Sequence, residues 1–148
     1  MFQEENEFET GLDVDPCAVI EKAPDHILVI DDDESQVTAL SHSLMSLGYR
    51  VSVASTCADG IRIAYSDRPD LVLLDIKLPD GDGLDMCSKF NDDPETADVP
   101  VIVVSGSDRP DIVRQARSVG CHYFVRKPYD PNALLILAQN AIFESRDW

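Results

Sequence analysis

Carboxylates, a hydroxyl and an ammonium group stand at the ends of four apolar runs of this sequence. Asp31 and Asp32 follow HILVI, and Asp75 ends LVLLD. Ser105 ends VIVVS, and Lys127 follows FVR. A carboxylate can attack phosphorus, a hard divalent cation binds carboxylate oxygens, and an ammonium group neutralises phosphoryl oxygens. These residue types therefore indicate metal-assisted chemistry on a phosphoryl group, with Asp75 as the best candidate nucleophile.

An alternation of strand and helix patterns must bring these residues together. Short apolar runs predict five strands, at residues 27–31, 49–54, 71–75, 99–105 and 123–127. A helix pattern follows each strand, beginning with an apolar stripe at Val37, Leu40, Leu44 and Leu47, and the fourth helix is predicted over 108–119. Asp33 and Glu34 are predicted to start the first helix, where the positive end of its dipole favours acids.

This alternation predicts an α/β fold with a five-stranded parallel sheet, doubly wound, with helices on both faces. In such a sheet the carboxyl ends of the strands meet at one edge, and ligands bind there, close to the point where the strand order reverses. The polar residues that end the apolar runs all lie at strand ends that share this edge: Asp31, Asp32, Asp75, Ser105 and Lys127.

Composition and charge restrict the function classes. The chain has 148 residues and a formal net charge of −16, which argues against direct binding to nucleic acid. Residues 1–25 are strongly acidic and lack apolar periodicity, so we expect a flexible arm there. No apolar run reaches the length of a membrane span, and the four scattered cysteines are expected to be free thiols. We expect a cytoplasmic protein that is not associated with a membrane.

Four motifs together resemble the response-regulator receiver domain of two-component signalling, at that family's usual spacing. They are ILVIDDDE, LVLLDIKLPDGDG, VIVVSG and FVRKP, and the resemblance covers about residues 25–145. It implies a flavodoxin-like sheet with strand order 2-1-3-4-5. It also implies a receiver domain over 26–146, preceded by the arm at 1–25, with no output domain in this chain.

The resemblance implies a phosphorylation switch rather than an enzyme. Asp75 would accept a phosphoryl group from a histidine kinase or a histidine phosphotransfer protein. Lys127 and Ser105 would contact the phosphoryl oxygens. The implied cofactor is a magnesium or manganese ion, held by Asp31, Asp32, Asp75 and the backbone carbonyl of Lys77. Of the first two, Asp32 is expected to bind the ion directly and Asp31 through water.

The resemblance also implies how a signal would leave the site. Ser105 would move toward the phosphate and Phe124 would turn inward, by packing alone because phenylalanine lacks a hydroxyl. Lys77 and Ser107 occupy positions that tune the lifetime of the phosphoryl group in this family. The face formed by the fourth helix, fifth strand and fifth helix would bind a downstream protein or support a homodimer. It carries a basic patch of Arg109, Arg114, Arg117 and Arg126.

Three other interpretations compete with this one. A metal-dependent phosphohydrolase with an aspartate nucleophile requires a second acid two residues after the nucleophile. With Asp75 as the nucleophile, this chain has Lys77 at that position. A calcium loop over residues 80–85 is weakened by Met86, which stands where an EF-hand has glycine. A receiver that docks without being phosphorylated is disfavoured by the complete set of acids, hydroxyl and lysine.

Overall fold

The computed structural model describes residues 23–146, so the predicted arm at 1–25 lies almost wholly outside the described residues. The strands are β1 His26–Ile30, β2 Arg50–Ala54, β3 Leu71–Asp75, β4 Val101–Ser105 and β5 Tyr123–Arg126. The helices are α1 Glu34–Ser46, α2 Cys57–Asp67, α3 Gly83–Asp92, α4 Ile112–Ser118 and α5 Pro131–Arg146. The predicted alternation of strand and helix is therefore confirmed over this part of the chain.

The five strands form one parallel sheet in the order β2-β1-β3-β4-β5. This is the predicted order 2-1-3-4-5, and the flavodoxin-like fold is confirmed. The chain reverses its direction of travel across the sheet after β2, when it crosses β1 to form β3. A crevice therefore opens beyond the carboxyl ends of β1 and β3, the two strands that deliver Asp31 and Asp75.

Side chains that alternate along each strand supply two hydrophobic cores, one on each face of the sheet. In β1, Leu28 and Ile30 pack with α2, α3 and α4, whereas Ile27 and Val29 pack with α1 and α5. All five residues of β1 are buried, as are all five of β4. Because both faces are covered, the strands read as continuous apolar runs rather than alternating ones.

Side-chain caps fix where the first two helices start. The Asp33 carboxylate accepts a hydrogen bond from the backbone N–H of Gln36, so Asp33 caps α1 and Glu34 is its first residue. The Thr56 hydroxyl likewise accepts from the N–H of Asp59 at the start of α2. The predicted helix start at Asp33 and Glu34 is confirmed. These two acids belong to the start of α1, whereas Asp31 and Asp32 follow the end of β1.

Two predicted starts were wrong by two residues or more, and proline accounts for both, whereas the bounds of the other strands differ by at most one residue. The fourth helix begins at Ile112 rather than at residue 108, because Pro110 disfavours helical geometry at Arg109 before it. The fourth strand begins at Val101 rather than at residue 99, because Pro100 has no N–H to donate to a sheet ladder. The cysteines within the described residues, Cys57, Cys87 and Cys121, are free thiols as expected.

Candidate functional site

Lys127 joins the ends of β1, β3 and β5 through two ion pairs. Its Nζ lies 3.0 Å from Asp31 Oδ2 and 3.4 Å from Asp75 Oδ2. The side chains of all three residues are mostly buried. These residues are separated by up to 96 positions in the chain, so the fold alone brings them together. The structure thus places three of the predicted site residues in direct contact at the carboxyl edge of the sheet.

Asp32 completes a cluster of acids at this edge. Asp31, Asp32 and Asp75 each offer a carboxylate oxygen, and these oxygens lie within 4.8 Å of one another. Asp31 is 8% exposed, and its Oδ1 accepts a hydrogen bond from the N–H of Asp33. Asp32 is exposed to solvent at the mouth of the cluster. Three carboxylates face one ammonium group, so the cluster carries excess negative charge, and its oxygen donors fit a hard divalent cation.

The environment of Asp75 disfavours its ionised form. Burial raises the pKa of Asp75, and the neighbouring Asp31 raises it further, while the Lys127 ammonium opposes both. For Lys127 the balance is the reverse. Burial by itself would lower the pKa of Lys127, but the Asp31 and Asp75 carboxylates outweigh burial, so that its pKa is raised. The nucleophile candidate is therefore an unfavourable buried anion that a second positive charge would stabilise.

Ser105 lies at the same edge, and its side chain is engaged with the following loop. β4 pairs with β3 so that Val104 faces Asp75, which puts Ser105 one position beyond the acceptor candidate. Ser105 is buried, and its Oγ accepts a hydrogen bond of 3.0 Å from the N–H of Ser107. Among the described residues no hydrogen bond joins the Ser105 hydroxyl to Asp75 or Lys127. The predicted hydroxyl is thus at the rim and, within the described residues, hydrogen-bonded to neither charged group.

Phe124 lies on β5 and is partly buried against the core shared with α4. The guanidinium carbon of Arg126 stands over its ring, 5.6 Å from the centroid. Arg109 of the predicted basic patch donates to Gln115 and lies 4.0 Å from Asp111. Arg114 and Arg117 are exposed on α4. The patch therefore exists as a surface feature, although two of its members already contact neighbouring groups.

A tight hairpin shapes the other wall of the site. Lys77–Leu78 pairs with Gly81–Asp82 in an antiparallel hairpin that begins two residues after Asp75. A Cβ at Gly83 would collide with the backbone carbonyl of Asp75, so only glycine lets the chain return this closely. Lys77 lies on the first arm of the hairpin, two residues beyond the acceptor candidate, with its side chain exposed.

Asp80, at the tip of this hairpin, anchors the loop to α2. Its carboxylate accepts hydrogen bonds of 2.7 Å and 3.1 Å from the N–H groups of Cys57 and Ala58. These bonds lower the pKa of Asp80. The sequence suggested no such role for Asp80, which was considered only as part of a calcium loop over residues 80–85. The first N–H groups of every helix need hydrogen-bond acceptors, so an acceptor for those of α2 could be expected. Nothing in the sequence indicates that Asp80 is that acceptor.

Gln36 and Tyr129 line a small cavity beneath the acids, and neither was singled out from the sequence. The cavity is also bounded by Asp31 and Asp75. The Oε1 atom of Gln36 is buried there without a hydrogen-bond partner among residues 23–146. The only indication in the sequence for Gln36 is its position beside Val37, at the edge of the buried stripe of α1. This indication is weak because glutamines on helix surfaces are common.

With this geometry in place, comparison with known proteins decides the family. The model of the response regulator receiver domain matches residues 27–139, well over half of the chain. The chain belongs to the response regulator receiver family. This assignment agrees with the predicted resemblance and with the strand order of the sheet. It identifies a signalling domain of two-component systems.

Curated relatives of this receiver domain differ greatly in length. It is 38% identical over 105 residues to the response regulator PleD of Caulobacter vibrioides, covering 70% of this chain and 23% of PleD. It is 31% identical over 109 residues to the protein PilH of Pseudomonas aeruginosa, covering 74% of this chain and 90% of PilH. The chain therefore spans under a quarter of the first relative and nearly all of the second.

Solved structures of the same fold include one with a metal. A CheY-like receiver from Methanospirillum hungatei superimposes with a TM-score of 0.78 at 26% identity, covering 82% of this chain and 96% of that one. The receiver domain of the sensor histidine kinase PA1611 from Pseudomonas aeruginosa has a TM-score of 0.74 at 26% identity, covering 82% and 99%. That structure holds a magnesium ion in its active-site cleft.

The described part of this receiver domain contains no helix that is both long enough and apolar enough to span a bilayer. The longest helix, α5, has 16 residues. This finding agrees with the lack of a membrane-spanning run noted in the sequence.

Proposed function

We propose that Asp75 is the phosphoacceptor of a two-component signalling protein. The phosphoryl group would come from a phosphohistidine of a histidine kinase or of a histidine phosphotransfer protein, in the cytoplasm. The observation that carries this proposal is the contact of Lys127 with both Asp31 and Asp75 at the carboxyl edge of the sheet. Three carboxylates and one ammonium converge there, and no other cluster of three metal-binding side chains occurs within residues 23–146.

In the proposed reaction an Asp75 oxygen forms a bond to phosphorus as the bond from phosphorus to the histidine nitrogen breaks. The repulsion between this anion and the phosphoryl oxygens is the main obstacle. Asp31, Asp32, Asp75 and the carbonyl of Lys77 would hold a magnesium or manganese ion, with Asp31 acting through water. When bound, that ion supplies positive charge to the carboxylates and to the phosphoryl oxygens.

Lys127 and Ser105 supply the remaining contacts in this proposal. Lys127 already lies 3.4 Å from Asp75, so its ammonium would reach an oxygen of a phosphoryl group attached there. Ser105 would turn its hydroxyl from the following loop to donate to another phosphoryl oxygen. Phe124 would respond by repacking, and the face of α4, β5 and α5 would present the result to a downstream protein or to a second copy of the chain.

Two alternatives are weaker than this proposal. The phosphohydrolase interpretation needs an acid at position 77, and the structure has an exposed lysine there. A receiver that docks without phosphorylation would have no use for a buried anion whose pKa is raised by its surroundings. Turnover of a phosphate ester would favour the first alternative, and the absence of any labelling would favour the second.

Labelling with a small phosphodonor tests the proposal. Incubation with acetyl phosphate and magnesium should add one phosphoryl group, detected as a mass increase of the intact protein. Asp75→Asn should abolish this increase, because an amide oxygen is not a sufficient nucleophile. Asp92→Asn is the matched control, since Asp92 is exposed at the last residue of α3, the opposite end of that helix from Gly83, which packs against Asp75.

The labelling results distinguish an error in the phosphoacceptor from an error in the metal. Full labelling of the Asp75→Asn protein would show that another residue accepts the group and would end the assignment. Labelling that persists when magnesium is chelated would remove the metal from the proposal while leaving Asp75 in place. A phosphotransfer assay against the histidine kinases of the host would then identify the donor.

A further inference from the structure

Arg126 makes two contacts that no function described so far requires. Its Nη1 donates a hydrogen bond of 3.1 Å to the backbone carbonyl of Ser107. Its guanidinium group also lies over the ring of Phe124, with 5.6 Å between the guanidinium carbon and the centroid. One exposed side chain therefore ties the loop after β4 to the aromatic residue in the middle of β5.

The same loop segment holds Ser105. The N–H of Ser107 donates to Ser105 Oγ over 3.0 Å, while the carbonyl of Ser107 accepts from Arg126. Ser107 is thus bound on both sides of its backbone, once by the hydroxyl at the rim and once by the guanidinium. Arg126 also stands directly opposite Ser105 in the register of β4 and β5. A continuous chain of contacts runs from Ser105 through Ser107 and Arg126 to Phe124.

We propose that Arg126 is a positioning residue that holds Ser105 and Phe124 in the arrangement of the unphosphorylated protein. It acts through Ser107 and touches neither Asp75 nor the phosphoryl group. This inference rests on the proposed phosphorylation of Asp75. It adds a residue that sets how readily the rest of the domain responds to that event.

The physical reason is the one-sided chemistry of a phosphoryl group. Its oxygens accept hydrogen bonds and cannot donate them, and they carry a charge of about −1.5 to −2. Ser105 can donate its O–H to them, and in this proposal its side chain reaches them by rotating about the Cα–Cβ bond, which carries Oγ away from the N–H of Ser107. Ser107 then shifts to find another acceptor, and its carbonyl leaves Arg126. Without its hydrogen bond to Ser107, the guanidinium group of Arg126 is no longer held over the ring of Phe124.

Removal of the guanidinium should favour the phosphorylated arrangement, and the sign of this effect distinguishes the proposal from simple electrostatics. Arg126 is a positive charge, so losing it should weaken the binding of any anion nearby. The proposal predicts the opposite. If the contacts of Arg126 with Ser107 and Phe124 form a tether that stabilises the unphosphorylated arrangement, their loss makes that arrangement less stable and so makes anion binding tighter. The loss of one exposed cation–π contact together with one hydrogen bond corresponds to an increase in affinity of at least about fivefold.

The experiment uses beryllium trifluoride with magnesium, a tetrahedral analogue of a phosphoryl group on a carboxylate. Its affinity is measured for the wild-type chain and for Arg126→Gln by following the backbone amide resonance of Ser107. Arg126→Gln should bind at least about five times more tightly than wild type. Its Ser107 resonance should also lie part of the way toward the bound position before any analogue is added. Arg126→Lys should fall between the two, since it keeps the charge without the planar guanidinium.

Arg114→Gln is the matched control, because Arg114 is an exposed arginine on α4 with the same charge. It should not tighten binding. Phe124→Leu removes one end of the tether, so the gain produced by Arg126→Gln should shrink in that background.

Unchanged or weaker binding by a folded Arg126→Gln protein would overturn the inference and leave the proposed function intact. Equal tightening by Arg114→Gln would also overturn it, as an effect of net charge. Failure of the wild-type chain to bind the analogue would instead overturn the proposed function, and with it the inference.

Discussion

Two clusters of one base and two acids stand at opposite edges of the same sheet. At the carboxyl edge Lys127 contacts Asp31 and Asp75, with side-chain exposures of 15%, 10% and 12%. At the amino edge Arg146 contacts Asp25 and Asp70 at 2.8 Å and 3.0 Å, with exposures of 42%, 26% and 35%. The composition is the same, and the distances are similar. Burial is what differs.

The difference in burial gives the two clusters different electrostatic environments. Asp70 at the amino edge also accepts the backbone N–H of His26 over 2.7 Å, so its second oxygen is satisfied, and water reaches the rest of the cluster. At the carboxyl edge a third acid, Asp32, adds negative charge to a cluster that is already poorly solvated. Water and salt screen the charges of an exposed cluster, whereas a buried cluster with excess negative charge would be stabilised by a cation. The contrast predicts different responses to the same changes.

Removal of the base should show the largest difference between the two edges. Lys127→Met leaves two mostly buried carboxylates without their partner, which should cost about 3 kcal/mol in the absence of metal, the low end for a buried pair. The melting temperature should fall by roughly 6–12 °C at this chain length. Thermal denaturation in a chelating buffer measures it. A fall of only a degree or two would show that water solvates the carboxyl edge as well as it does the amino edge.

Addition of metal should stabilise the protein through the carboxyl edge alone. Magnesium at 100 times its dissociation constant should raise the free energy of unfolding by about 2.7 kcal/mol. Asp32→Asn should weaken magnesium binding, whereas Asp25→Asn removes the same charge from the amino edge and should leave it unchanged. Titration calorimetry on both variants gives the comparison. Equal losses of affinity would mean that net charge, rather than the cluster, attracts the ion.

The raised pKa of Asp75 gives the stability of the metal-free protein a pH dependence of known sign. Burial, with Asp31, raises this pKa in the folded state, so the folded protein binds the proton more tightly than the unfolded chain. Between the ordinary carboxyl pKa and the raised value, the free energy of unfolding therefore falls as the pH rises.

Denaturant titrations of the wild-type chain and of Asp75→Asn across this pH range measure the effect. The variant should lack the fall and should be the more stable of the two at neutral pH in a chelating buffer. Parallel curves for the two proteins would show that Asp75 titrates as an ordinary exposed carboxyl group.

Arg146→Met should give the smallest effect and so completes the contrast. Exposed ion pairs contribute about 0–1 kcal/mol, and Asp25 and Asp70 remain solvated when the arginine is gone. Stability should change by less than about 1 kcal/mol, and magnesium affinity should not change. A loss as large as that of Lys127→Met would show that the amino edge, which joins α5 to the start of β1 and β3, is a structural clamp.

Much of the carboxyl edge was predictable because its residues end apolar runs. Asp31, Asp75, Ser105 and Lys127 each stand where a buried strand stops, and parallel strands must stop at one edge. The amino-edge cluster gave no such signal, because Asp25, Asp70 and Arg146 are ordinary polar residues beside element ends. The anchoring of the hairpin by Asp80 and the contacts of Arg126 were missed for the same reason. Asp80 binds backbone N–H groups, and the hydrogen bond of Arg126 goes to a backbone carbonyl 19 positions away.

The amino-acid sequence by itself determined the alternation of strands and helices, the doubly wound sheet and the residue types at its rim. Local periodicity and strand ends carry that information, since they depend on neighbours only a few positions away. The tertiary structure decided which charges meet, how deeply each is buried and which of the two clusters carries buried excess negative charge. Those properties depend on the distance between residues such as Asp31 and Lys127, which only the closed fold sets, and on the solvent that it excludes.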